Sequence, residues 1–148
     1  MKISRLLTLD ANVLIAALKG DEPYSEKCHQ ILSQVPDIFI LTEPSIVYQE
    51  VCGTLARKVG KDVADQARKQ LDLIIHPKLL ENCDGAFCAS AYLLCAEYEI
   101  YAIDAMYLKV ALNNHAVLVS LDKEEFIDKL KLKKPPIEVY DVNGFPYR

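Results

Sequence analysis

The sequence is poor in glycine, has no paired-cysteine motif, no paired histidines, no long apolar run and no excess of positive charge. Each deficit removes a class of function. Its five glycines form neither G-x-G-x-x-G nor G-x-x-x-x-G-K-[ST], so the two common phosphate-cradling loops are missing. No apolar stretch approaches the roughly 20 residues that cross a bilayer, so no membrane contact is expected. Met1-Lys2-Ile3-Ser4-Arg5 has a positive flank, but Asp10 cuts the following apolar stretch short, and no signal peptide is expected. The five cysteines (Cys28, Cys52, Cys83, Cys88 and Cys95) are odd in number and contain no C-x-x-C. They read as small core hydrophobes in a reducing cytosol, Cys88 and Cys95 sharing a helix face. His29, His76 and His115 form no H-x-H or H-x-x-x-H pair, which leaves no zinc motif. A net charge of −4 argues against a generic nucleic-acid coat held by bulk positive charge. An enzyme that meets phosphates through metal ions stays open.

What is present is a chain of 148 residues, 51% hydrophobic and 26% charged, which fits one domain over 1–148 with a real core. Short apolar runs alternate with amphipathic helices, the pattern of an α/β domain with a mainly parallel sheet. Strands are expected at about 3–9, 38–41, 73–76, 117–120 and 137–140. Helices are expected at about 12–19, from an Asp21-Glu22-Pro23 cap to Val35, then 42–58, 61–71, 85–97, 104–113 and 123–130. Five strands separated by helices make a three-layer α/β/α sandwich. Ligands of such sheets bind beyond the carboxyl ends of the strands.

Four carboxylates stand where a domain would rather not place charge. Asp10 ends the first apolar run, and Asp122 follows Ala116-Val117-Leu118-Val119. Glu50 falls among Ile46, Val47, Val51 and Leu55 on the apolar face of its helix. Asp104 heads the stripe of Leu108, Ala111 and Leu112. Each has a plainer reading. Asp10 and Asp104 fit helix N-caps, Asp122 with Glu125 resembles a capping box, and Glu50 fits a stripe-edge residue that reaches water. Caps do not explain Glu50. If the fold gathers the four, they make an oxygen-lined cage for hard divalent cations, the setting of metal-assisted phosphodiester chemistry. Asn12 and Ser120, two residues from Asp10 and Asp122, can support the carboxylates by hydrogen bonds.

In this order, Leu9-Asp10-Ala11-Asn12-Val13-Leu14-Ile15, Pro44-Ser45-Ile46-Val47-Tyr48-Gln49-Glu50-Val51, Tyr101-Ala102-Ile103-Asp104-Ala105-Met106-Tyr107-Leu108 and Val117-Leu118-Val119-Ser120-Leu121-Asp122 resemble the four acidic motifs of the PIN-domain ribonucleases. The resemblance implies a five-stranded parallel sheet of order 3-2-1-4-5. It also implies a Mg²⁺- or Mn²⁺-dependent nuclease acting on RNA, its metal held by Asp10, Glu50, Asp104 and Asp122. Many small members are VapC-like toxins, commonly homodimers, whose antitoxin partner covers or enters the acidic site. Cytoplasmic localisation goes with that reading.

Rival readings are a PIN-like scaffold that binds RNA or protein without chemistry, and an RNA-processing nuclease with no antitoxin. A phosphotransfer or receiver domain is disfavoured, because Asp10-Ala11-Asn12 lacks the second aspartate of a D-x-D motif. Arg57, Lys58, Lys61, Arg68, Lys69 and the run Lys129-Leu130-Lys131-Leu132-Lys133-Lys134 are candidate phosphate contacts or ordinary solvated surface.

Overall fold

A computed structural model describes residues 4–147. Five parallel strands, β1 (Arg5–Leu9), β2 (Phe39–Pro44), β3 (Ile75–Glu81), β4 (Val117–Ser120) and β5 (Val139–Asp141), form one sheet of order β3-β2-β1-β4-β5. Eight α-helices accompany them among the described residues: α1 (Ala11–Lys19), α2 (Ser25–Leu32), α3 (Ile46–Lys58), α4 (Lys61–Ile74), α5 (Gly85–Ala91), α6 (Leu93–Tyr98), α7 (Ala102–Asn114) and α8 (Asp128–Leu132). The strand order reverses direction around β1. With right-handed crossovers, α1 to α4 then cover one face and α5 to α8 the other. The three-layer sandwich is that expected from the pattern of elements, and the strand order is the one the resemblance implies.

The central strands are buried on both faces, which is why β1 and β4 read as largely apolar runs, with Thr8 and Ser120 buried beside their apolar neighbours. Leu7, Leu9, Leu118 and Val119 are wholly inaccessible, as are Val47, Val51 and Leu55 of α3 and Leu108 of α7. The tail packs back on the sheet, with Phe145 and Tyr147 against Phe39 and Tyr140.

Several boundaries differ from the sequence reading, each for a local reason. Ile3, the expected first residue of β1, lies outside the described residues. The Ser25 hydroxyl accepts from Glu22 N–H, so Asp21-Glu22-Pro23 forms a turn and α2 starts at Ser25. Thr42-Glu43-Pro44 belongs to β2 and does not open α3. β3 is longer than expected, and its pairings Glu43↔Leu80 and Pro44↔Glu81 keep that segment extended. Pro77 lies inside β3, where an edge strand tolerates it. Leu73 and Ile74 continue the amphipathic α4, leaving Leu73 on the solvent side at 85% exposure. The expected helix 85–97 breaks at Tyr92 into α5 and α6. Cys88 is exposed instead of core, while Cys95 is half-buried against the core. β5 begins at Val139, and Lys123–Ile127 is a wider π-type turn instead of the first turns of an α-helix. No single helix among the described residues is long and apolar enough to cross a membrane.

Candidate active site

Asp10 leaves the sheet at the carboxyl end of β1, next to β4. Its N–H donates to Val119 O at 2.9 Å, so the strand pairing continues to this residue. It occupies the N-cap position of α1 but makes no side-chain capping bond. Its Oδ2 instead accepts from the Ser120 hydroxyl at 2.7 Å, across 110 residues of sequence. The Ser120 Oγ in turn accepts from Asn12 Nδ2 at 3.2 Å and from Asp122 N–H at 3.0 Å. One donated and two accepted bonds use the whole capacity of a hydroxyl. Asn12 Oδ1 accepts from Leu121 N–H at 3.1 Å, which pins the chain entering Asp122. Asp122 caps the following turn, its Oδ1 accepting from Glu125 N–H at 3.1 Å. Asn12 and Ser120 thus tie the Asp10 and Asp122 segments together.

Glu50 lies in the middle of α3 and is half-buried. Its Oε1 accepts from the Tyr107 hydroxyl at 2.7 Å, a bond from α7 to α3. Asp104 stands one turn before Tyr107 in the first turn of α7. It is not the N-cap, which is Tyr101. The helix N-terminus favours a carboxylate at that position.

The electrostatics join these groups. Burial pushes the Asp10 carboxyl up to about 7, partly offset by the Ser120 hydroxyl and reinforced by the charges of Asp104 and Glu50. Burial raises Asp104 to about 6, with Asp122 and Glu50 adding repulsion. Glu50 is also raised by burial, against the pull of its Tyr107 hydrogen bond. The Tyr107 hydroxyl is pushed far up by burial and by the negative field of Glu43 and Glu50, so it keeps its proton and donates. Among the described residues no lysine or arginine forms an ion pair with any of the four acids.

One acid was not singled out from the sequence. Glu43, near the end of β2, is completely buried, and burial raises its carboxyl well above the ordinary range. The segment Thr42-Glu43-Pro44-Ser45 mimics a helix opening, with a capping residue and an early proline, and this hid it. The two-residue period of the strand was the available signal. Phe39, Leu41 and Glu43 share one buried face.

Asp10, Glu50, Asp104 and Asp122 offer only oxygen donors, negative in sum and with no basic partner. That donor set fits a hard divalent cation. Among the described residues no three His, Cys, Asp or Glu side chains already sit close enough to cage a metal ion. Mg²⁺ keeps several of its waters and asks for few protein ligands, so a looser arrangement is compatible with it. The histidines take no part, all three being exposed. A cavity of about 630 Å³ between α2 and the carboxyl-terminal tail, lined by Lys27, Gln34, Asn143 and Phe145, contains none of the four acids.

The family model of the PIN domain matches residues 7–131. The chain belongs to the PIN-domain family. Its fold is shared with solved PIN-domain structures of low identity. VapBC2 from Rickettsia felis, bound to a promoter DNA fragment, is 11% identical, with TM-score 0.64 over 92% of this chain and 98% of that one. FitAcB from Neisseria gonorrhoeae is 17% identical, with TM-score 0.63 over 95% and 99%. VapC20 from Mycobacterium tuberculosis, described as a Sarcin-Ricin loop cleaving toxin, is 15% identical, with TM-score 0.63 over 78% and 87%. No curated protein matches the chain at a significant level. At these identities the likeness to the solved structures establishes the PIN fold alone.

Proposed function

We propose that this PIN domain is a divalent-metal-dependent endoribonuclease that hydrolyses RNA phosphodiester bonds, acting as the toxin of a toxin–antitoxin pair. The observation that carries the reading is the hydrogen-bonded frame around the acids, Asp10 tied through Ser120 and Asn12 to the segment of Asp122 and Glu50 bonded to Tyr107 one turn after Asp104, in a chain of the PIN-domain family. Asp10, Glu50, Asp104 and Asp122 would hold Mg²⁺ or Mn²⁺, directly or through water. When bound, the ion offsets charge on the phosphodiester and activates water for attack. The chain's own residues set the geometry. Ser120 and Asn12 fix Asp10 and the backbone of Asp122, and Tyr107 aims Glu50. Arg57 and Lys58, exposed at the end of α3, are the preferred phosphate contacts. Lys61, Arg68 and Lys129 are already paired with Asp65, Asp72 and Glu125.

The toxin role draws on the company the fold keeps. A neighbour that cleaves the Sarcin-Ricin loop and a toxin–antitoxin complex from Klebsiella pneumoniae both support it. An antitoxin partner, a homodimer and a cytoplasmic setting belong to this proposal. The test is cleavage of RNA by purified protein with Mn²⁺ or Mg²⁺. Wild type cuts, and Asp104→Asn loses at least about 100-fold of the rate, as expected when a group acting in metal-assisted catalysis is removed. Equal cleavage by both proteins refutes the assignment.

A second reading, a binding module without chemistry, is favoured by the absence among the described residues of three metal-capable side chains already drawn together. RNA binding by wild type with no metal-dependent cleavage selects it.

A further inference from the structure

The β1–β2 ladder runs through Arg5↔Phe39, Leu6↔Ile40 and Leu7↔Leu41 and then stops. Continued in register, it would pair Leu9 with Glu43. The two strands part instead as they approach the acids, and side chains replace the missing ladder bonds. The Thr8 hydroxyl donates to Thr42 O at 2.8 Å, and Leu9 N–H donates to Glu43 Oε1 at 2.7 Å. Against β3 the register also shifts just before Glu43, with the extra residues lying in β3 between Ile75 and Leu80.

The second Glu43 oxygen is harder to explain as scaffolding. Oε2 is buried with no hydrogen-bond partner. Leaving such an acceptor unmet costs stability. A glutamine could accept from Leu9 N–H equally well without the buried acid. Its bond to Leu9 N–H sets Glu43 one residue from Asp10, and the charges of Asp10 and Glu50 act on it. Tyr107, whose hydroxyl holds Glu50, also feels Glu43. An anionic-capable oxygen with no protein partner, next to carboxylates that attract a hydrated cation, matches a water of that cation as its missing donor.

We infer that Glu43 is a positioning residue of the metal centre, one oxygen fixing the end of β1 that presents Asp10 and the other accepting from the hydrated divalent cation. This rests on the metal-site reading proposed above. The test uses the full metal-stripped chain and two measurements, Mn²⁺ affinity by titration calorimetry and thermal unfolding in chelator. Glu43→Gln keeps an acceptor for Leu9 N–H and turns the free oxygen into an amide nitrogen. The expected result is Mn²⁺ binding weakened about 10-fold or more, with a metal-free melting temperature equal to or above that of wild type. A purely structural glutamate would leave Mn²⁺ affinity unchanged, and that result overturns the inference. Should Glu43→Gln fail to fold, the wild-type Glu43 side-chain carboxyl carbon resonance decides. It shifts on adding Mg²⁺ if Glu43 responds to the cation, and a still resonance overturns the inference. Asp104→Asn is the control. If wild type binds no Mn²⁺, or Asp104→Asn binds it as tightly as wild type, the metal-site reading itself fails. If Asp104→Asn weakens binding and Glu43→Gln does not, only the role of Glu43 fails.

Discussion

Replacing Asp10 by asparagine is expected to make the metal-free protein more stable at alkaline pH. The wild-type carboxyl titrates near 7 in the folded chain, mainly because burial disfavours its charge, against an ordinary 3.8. In the unfolded chain it ionises freely from about pH 4. Between the two values the folded state binds more protons than the unfolded one, so stability falls as pH rises through that window. The loss is complete above the folded-state value. The integrated penalty at pH 8 is about 4 kcal/mol, and at pH 5 about 2 kcal/mol. The introduced amide would keep an acceptor for the Ser120 hydroxyl and carry no charge. The melting temperature of Asp10→Asn in chelator should therefore exceed wild type at pH 8 by roughly 8–16 °C, at about 2–4 °C per kcal/mol for a chain of this size. The gain should shrink to about half at pH 5. Added Mn²⁺ should close the gap at pH 8 by stabilising the wild type alone. The assay is differential scanning fluorimetry across pH, with and without metal. A variant no more stable than wild type at pH 8 would show that the buried charge is compensated by something in the fold, and the electrostatic account of the site would be wrong.

Other perturbations test the frame around the acids. Tyr107→Phe deletes the hydroxyl that donates to Glu50 and should cost about 1–3 kcal/mol, read by urea unfolding at neutral pH. An unchanged midpoint would mean that water replaces the bond. Phe126→Ala empties a fully buried position in the turn that follows β4 and should cost about 3–5 kcal/mol. Leu73→Ala, at a residue 85% exposed, should stay within about 0.5 kcal/mol. Similar costs for those two variants would contradict the assigned burial.

Sequence pattern revealed the layers because apolar periodicity tracks burial directly. β4 shows this in a four-residue run, Val117–Ser120, whose ends and burial agree with the pattern. It failed where a local signal and a distant partner disagree. Thr42-Glu43-Pro44-Ser45 has the chemistry of a helix start, yet pairing with β3 holds Glu43 and Pro44 extended. Leu73-Ile74 looks like a strand, yet it finishes an amphipathic helix whose stripe is Ala64, Ala67 and Leu71. The positions of Asp10, Glu50, Asp104 and Asp122 could be suspected individually from broken stripes and strand ends. Their common electrostatic field was not legible, because it depends on topology. Nor was the reach of Ser120 to Asp10, a contact across 110 residues. Asp10 also shows why a cap motif is a poor guide by itself. It holds the cap position, but its side chain serves Ser120 instead.

The serine hydroxyl that joins Asp10, Asn12 and Asp122 has a consequence during synthesis. Its residue is the last of β4, and β4 reaches β1 only once the intervening 110 residues have been made. A nascent polypeptide cut short before that point carries three of the four carboxylates but has nothing to hold the first in place. A polypeptide that ends before Ser120 should therefore leave the Asp10 carboxylate without its hydroxyl donor.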